Sequence, residues 1–285
     1  SRNYMTASKS LIINTREYGM FSSLFQIIDN LKFCEMNNMK PILNIGEKFL
    51  YRDGPENPWT HYFKPINDGK PEGEVFEVSQ LTTTANFFLE NYIMAQPSIH
   101  DYRLKLWNMI ADRDDLLAHR QEIKSMLDKY VKPLPVITEE VQKFAKKNFK
   151  GNSVLSVHIR STDYKFVNLP LLIDRIDKIQ KQNNYKKIFV ASDSLEAIMG
   201  IYNAFPNVCY YETGLRCEKI DSPKPLCHIV FGQDKIKHGR DAIIECLLLS
   251  KGKEIVCINS NVAGMACYLN PQMKIHLMWR QIHGG

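Results

Sequence analysis

Two apolar periods alternate along the chain. Leu11-Ile12-Ile13-Asn14 is a short β-branched run and predicts a strand, followed by a turn at Thr15-Arg16-Glu17-Tyr18-Gly19. From Met20 to Asn37, apolar residues at Leu24, Ile27, Ile28, Leu31 and Cys34 form a helical stripe. Pro41-Ile42-Leu43-Asn44-Ile45 predicts a second strand, closed by Gly46. A strand, helix and strand in this order imply a parallel sheet. Residues 50–80, rich in Gly, Pro, Asn and Asp, are expected to be irregular. Helices are expected over 101–130 and 136–149, separated by Pro133-Leu134-Pro135. Beyond Gly151 the alternation sharpens. Strands are predicted at Ser153–Ile159, Lys187–Ala191, Val208–Tyr210 and Glu254–Ile258. Helices are predicted at Leu171–Gln182, Leu195–Tyr202 (capped by Ser194 or Asp193), Arg240–Ser250 and Asn261–Tyr268 (capped near Ser260), with a polar loop over 213–236. The pattern is that of an α/β protein with two consecutive Rossmann-like halves, a domain over 1–150 and another over 151–285, and it implies a cleft between them.

Length agrees with this division, since 285 residues are enough for two domains. Apolar residues make up 44% and charged residues 24%, which excludes a disordered or fibrous chain. No stretch approaches the roughly 18 unbroken apolar residues of a membrane span, so no stable membrane insertion is expected. Ser1-Arg2-Asn3-Tyr4 shows no signal-peptide pattern. The seven cysteines include no CxxC pair, and most lie in apolar stretches, as reduced core thiols do. A cytoplasmic location is therefore expected. The net charge of +6 is mild. The lysine runs at 143–150 and 178–187 are read as solvated helix faces and ends rather than a nucleic-acid stripe, so no nucleic-acid partner is expected.

In open parallel sheets, ligands sit beyond the carboxyl ends of the strands, so the residues that follow each strand carry the chemistry. The strand ending at Ile159 delivers His158, Arg160, Thr162, Asp163 and Lys165 within eight residues. Arg offers a planar fork suited to phosphate oxygens. The next strand delivers Asp193, and the strand after Glu254 delivers Asn259-Ser260-Asn261 at a helix N-terminus, a place that favours phosphate. Glu245 lies between Ile243-Ile244 and Leu247-Leu248-Leu249, and a carboxylate in an apolar stretch needs a partner or a task. No GxGxxG, Walker A, HExxH or GxSxG motif occurs, and no DxD triplet that would hold a nucleotide-bound cation.

Val157-His158-Ile159-Arg160-Ser161-Thr162-Asp163-Tyr164-Lys165 resembles the HxRxTDK-type motif of the fucosyltransferase superfamily that includes α1,2-, α1,6- and protein O-fucosyltransferases, with one residue inserted before the Lys. Ile188–Asp193, Asp241–Ser250 followed by Val256–Val262, and the first loop and helix from Tyr18-Gly19-Met20 to Gln26 are similar to that family's other motif stretches. The resemblance implies a GT-B fold, with two Rossmann-like domains facing across a cleft and the acceptor on the N-terminal side. It implies an inverting, metal-independent transfer of fucose from GDP-fucose to a hydroxyl of a glycan acceptor, with no cofactor. Carried over by position, His158 and Arg160 contact the diphosphate, Glu245 takes the place of a guanine-binding Asp, and Ser260 with Asn259 and Asn261 contacts the phosphates. Lys165, Asp193 and Gly19 fall in the same stretches and join the donor-binding set. The family's α1,6 branch carries a Glu base shortly after its motif, and the corresponding position here is Asn168. The catalytic set is thus Arg160 with Asp163 or Glu17 as the base. Two alternatives stay open: the same fold with another GDP-sugar, and a non-catalytic module that binds a nucleotide or carbohydrate.

Overall fold

A computed structural model describes residues 8–15, 19–47, 49–78, 114–161, 168–218, 234–258 and 260–278. These fall into two compact units. The first holds the described residues up to Val78 together with 125–132, and the second holds 114–124 and those from Pro133 onward.

In the first unit, β1 (Lys9–Asn14) is flanked by β2 (Lys40–Asn44) and β3 (Glu74–Val78), all parallel. Helix α1 (Met20–Met36) joins β1 to β2 and buries Phe21, Leu24, Phe25, Ile27, Ile28 and Leu31. The region expected to be irregular carries β3 and a 3-10 turn at Pro58–His61. Asn57 accepts a hydrogen bond from the Trp59 amide at 3.1 Å, and Trp59 Nε1 donates to the Lys64 carbonyl at 2.8 Å. Gly73 admits β3 to the sheet. It sits at φ +67°, and a Cβ there would stand 1.7 Å from the Ser8 carbonyl oxygen, which accepts the Glu74 amide.

Helix α2 (Asp114–Tyr130) contributes to both units, its first part to the second. Helix α3 (Pro135–Asn148) also belongs to the second unit, although the sequence division at 150 assigns it to the first half. The reason is packing: α3 lies against α6 (Lys235–Leu249), and its Phe144 meets Phe189 edge-on with ring centres 5.6 Å apart. The remaining elements are β4 (Val154–Ile159), α4 (Leu169–Asn183), β5 (Lys187–Ser192), α5 (Leu195–Ala204), β6 (Val208–Cys209), β7 (Glu254–Cys257), α7 (Asn261–Leu269) and β8 (Lys274–Leu277). Strand β8 was not anticipated, and α6 starts five residues before Arg240 because Asp234 caps it, accepting the Lys237 amide at 2.9 Å.

The five strands run parallel in the order β6-β5-β4-β7-β8. Every residue of β4 is buried, as befits a central strand covered on both faces. Leu155, Val157 and Ile159 pack with Ile176 and Ile179 of α4 and Ile198 and Ile201 of α5. The alternate face carries Ser156, whose Oγ donates to the Leu249 carbonyl of α6 at 2.7 Å, and His158. From β4 the chain winds outward through β5 and β6, then returns to β7 on the other side. The switch point therefore lies between β4 and β7, where such sheets open a crevice at their carboxyl edge. Among the described residues, no helix is long and apolar enough to cross a membrane.

Candidate active site

The switch point is occupied by the motif residues. His158, next to last in β4, is buried, and its Nδ1 lies 3.0 Å from Ser260 Oγ. Ser260 is the N-cap of α7, and its Oγ also accepts the Ala263 amide at 3.0 Å. One hydroxyl thus ties the β4 end to the first turn of α7. Burial pushes the His158 imidazole down to about 4, with the negative charge of Asp193 opposing and the positive charge of Arg160 adding to the shift. At pH 7 the ring is neutral. Asn261, the first residue of α7, has its Oδ1 buried without a hydrogen-bond partner.

Asp193 follows β5 and knits three connections. Its Oδ1 accepts the Ser161 amide at 2.9 Å and the Ser161 hydroxyl at 3.1 Å, fixing the turn that carries Arg160. Its carbonyl accepts the Cys217 amide at 2.9 Å, drawing in the loop after β6. The cap of α5 is the neighbouring Ser194, whose Oγ accepts the Ala197 amide at 3.3 Å.

Glu245 has a partner that nothing in its sequence context pointed to. Arg216, in the loop expected over 213–236, donates to Glu245 Oε1, and the two side chains are only 4% and 16% exposed. Arg216 Nη1 also donates to the Gly214 carbonyl at 2.6 Å, and its Nε is buried without a partner. Lys237 pins the same loop, donating to the Thr213 carbonyl at 3.0 Å and pairing with Asp241 at 2.5 Å. Burial raises the Glu245 carboxyl to about 7; the charge of Arg216 opposes this, while Asp241 and Asp193 reinforce it. The signal available in the sequence was the buried carboxylate itself, which demanded a cation. Which cation supplies it is a matter of the loop's path, since the pair is separated by 29 positions.

His158, Arg160, Asp193 and Glu245 therefore share one electrostatic environment at the carboxyl edge, with Ser260 and Asn261 joined to it through His158. Gly19 lies in the first unit as the N-cap of α1, at φ −61°, and a Cβ there would meet no atom within 4 Å. Asn168 caps α4, accepting the Leu171 amide at 3.1 Å, which gives a structural use to the position where the resemblance puts a base. Glu17, Asp163, Lys165 and Asn259 lie outside the described residues. Cys217 is a free thiol, and burial raises the Cys34 and Cys267 thiols to about 12.

A parallel sheet with polar and charged groups gathered at its switch point defines the doubly wound class of α/β folds. Within that class the chain has the GT-B fold of the fucosyltransferases. It is similar over 92% of its length to 93% of NodZ α-1,6-fucosyltransferase soaked with GDP-fucose, at 17% identity and a TM-score of 0.57; NodZ from Bradyrhizobium gives 16% and 0.56. It is similar over 96% of its length to 71% of Arabidopsis thaliana FUT1 in complex with GDP, at 10% identity and a TM-score of 0.55. POFUT1 in complex with GDP is matched over 94% of this chain and 98% of that one, at 11% identity and a TM-score of 0.51. No protein-family model and no curated protein sequence matches the chain.

Proposed function

We propose that this protein is an inverting, metal-independent glycosyltransferase that moves fucose from GDP-fucose to a hydroxyl of a glycan acceptor. The observation that carries the reading is the buried His158–Ser260 pair at the switch point, beside Arg160 and sharing a field with Glu245. The fold, shared with proteins whose structures hold GDP or GDP-fucose, supports it.

Ser260 Oγ and His158 Nδ1 are 3.0 Å apart; in this reading the hydroxyl donates that hydrogen bond, so the neutral ring carries its proton on Nε2 and offers it to a phosphate oxygen. As the bond from the sugar C1 to the β-phosphate oxygen breaks, negative charge grows on that phosphate and positive charge on the ring. Arg160 and the free N–H groups that open α7 stabilise the departing GDP, the task a metal performs elsewhere. The acceptor oxygen attacks C1 from the opposite face, and its proton passes to Asp163 or Glu17. Glu245 reads the base. Guanine presents two adjacent donors, which a carboxylate accepts side by side, and next to them an acceptor oxygen, for which the unpaired Nε–H of Arg216 is suited.

The test is calorimetric binding of GDP and UDP to the wild type and to Glu245→Gln. GDP is expected to bind selectively, and the variant to lose about 1.5–3 kcal/mol, the range for a hydrogen bond to a charged group. Equal binding of UDP and GDP by the wild type, or no loss in the variant, removes the guanine donor. In a transfer assay with GDP-fucose, Arg160→Lys keeps the charge but not the fork, and kcat/KM is expected to fall at least about tenfold. In the same assay EDTA is expected to leave the rate unchanged; abolition reversed by added Mn²⁺ would overturn the phosphate site described.

A further inference from the structure

Because the sheet of the second unit is wholly parallel, every helix-to-strand link leads to the same edge, the amino ends of the strands, opposite the edge that bears His158, Arg160 and Asp193. Those links are rich in lysine. Lys147 lies in the last turn of α3 and Lys150 in the link from it to β4, Lys181 lies in the last turn of α4 and Lys186 in the link to β5, which Lys187 opens, Lys251 and Lys253 stand between α6 and β7, and Lys274 opens β8. All are exposed except Lys187, which is half-buried. They stand close together. Lys187 is the register partner of Val154, the Val154 carbonyl accepts the Lys253 amide at 3.0 Å, and the Lys253 carbonyl accepts the Lys274 amide at 3.1 Å. Neighbouring strands are about 4.8 Å apart, so these three lysines follow one another along the edge.

Among the described residues, the links themselves carry no carboxylate to cancel the charge. Residues 147–153, 181–187, 205–208, 250–253 and 270–274 contain no Asp or Glu. Glu254, the first residue of β7, is buried and takes up His276 Nε2 at 2.5 Å. Asp177 pairs with Lys181 at 2.7 Å. Lysines in a last helical turn complement the helix macrodipole, which accounts for Lys147 and Lys181. The others lie beyond the helix ends, where that account does not reach.

We infer that this edge docks the protein on an anionic lipid surface. The chemistry separates that partner from nucleic acid. The cations are all lysines, point charges without the fork that grips individual phosphates, and Phe149, Tyr185 and Phe205 of these links are buried, so among the described residues the exposed Tyr202 in the last turn of α5 stands as a single ring rather than a series on which successive bases stack. The links are short, Asn184–Lys186 and Ser250–Lys253 among them, so the lysines lie level along the strand ends, as adsorption on a charged plane requires. Docked in this way, the carboxyl edge faces away from the lipid.

The experiment is cosedimentation with phosphatidylcholine vesicles, with and without phosphatidylglycerol. The wild type is expected to bind only the phosphatidylglycerol vesicles, and to release them at 1 M salt, where the Debye length falls to about 3 Å. Lys186→Glu, Lys251→Glu and Lys274→Glu together are expected to weaken binding at least about tenfold, since each basic residue near an anionic membrane contributes appreciably. Lys64→Glu, Lys70→Glu and Lys132→Glu together change the net charge equally at residues outside these links and are expected to bind nearly as the wild type. Both triple variants are compared at matched thermal stability. Equal binding of the two vesicle types, equal loss in the two triple variants, or tighter binding to heparin or single-stranded RNA than to the vesicles would each overturn the inference.

Discussion

At the scale of single residues the site depends on two buried ionisable groups held in uncharged or half-charged states by their surroundings. His158 is kept neutral by burial, and the carboxyl of Glu245 titrates near neutrality for the same reason. Arg216 is what holds the Glu245 carboxyl down to about 7, because its positive charge alone opposes burial, Asp241 and Asp193. Arg216→Met preserves the stem and removes the charge. The midpoint at which GDP affinity falls on acidification is then expected to move up by about 1–3 pH units, the effect of losing an adjacent opposite charge. GDP affinity of the variant at pH 7 should be low and should recover as the pH is raised. Calorimetry from pH 6 to 9 reads this directly. Profiles that run parallel for variant and wild type would show that Arg216 merely fastens its loop. Arg216 was not legible in the sequence. His158, Arg160, Asp193 and Ser260 were, because strand ends of a parallel sheet can be found from apolar runs, and Glu245 was, because a carboxylate inside an apolar helical stretch stands out. A loop residue paired across 29 positions leaves no periodic trace.

At the scale of elements, the apolar periods located β1, α1, β2 and every strand from β4 to β7, since these are buried and carry β-branched or continuous apolar runs. Two edge strands escaped. Glu74-Val75-Phe76-Glu77-Val78 is mostly exposed and follows a Gly- and Pro-rich stretch, and Lys274-Ile275-His276-Leu277 is half-buried with polar residues at alternate positions. Their pairing comes from the neighbouring strand, which a local reading does not see. A similar dependence governs Gly252, just before β7. A Cβ there would stand 2.3 Å from Ser156 Oγ, 2.9 Å from Ser156 Cβ and 3.0 Å from the Glu254 carbonyl oxygen. Ser156 cannot retreat easily, because its hydroxyl is bonded to the Leu249 carbonyl. Gly252→Ala is therefore expected to cost about 1–3 kcal/mol, as overpacking in a tight core does. The measure is urea denaturation: a lower midpoint with an unchanged slope agrees, and an unchanged midpoint would mean that β7 shifts freely against β4.

At the scale of the whole molecule, the same buried groups set how stability responds to pH, and they pull in opposite directions. The folded-state value of His158 lies below its ordinary 6.5, so its contribution is complete above 6.5 and is lost as the pH falls towards about 4. His238 and His276, both lowered chiefly by burial, act in the same sense. The folded-state value of Glu245 lies above its ordinary 4.5, so its contribution is complete below 4.5 and is lost as the pH rises through about 7. Asp241, raised by burial, adds to it. Between pH 4.5 and 6.5 the histidines make stability rise with pH and the carboxyls make it fall. Glu245→Gln removes a large part of the falling contribution. Losing the Arg216 partner lowers stability at every pH, but the slope is the informative quantity: unfolding free energy in the variant should rise more steeply between pH 4.5 and 6.5 than in the wild type. His158→Gln should do the reverse and flatten or invert the rise. Urea unfolding at three pH values across that interval, for the three proteins without nucleotide, separates the two. If the Glu245→Gln curve runs parallel to the wild type, the carboxylate is not titrating in the folded protein, and the charge balance drawn for the nucleotide site is wrong at its centre.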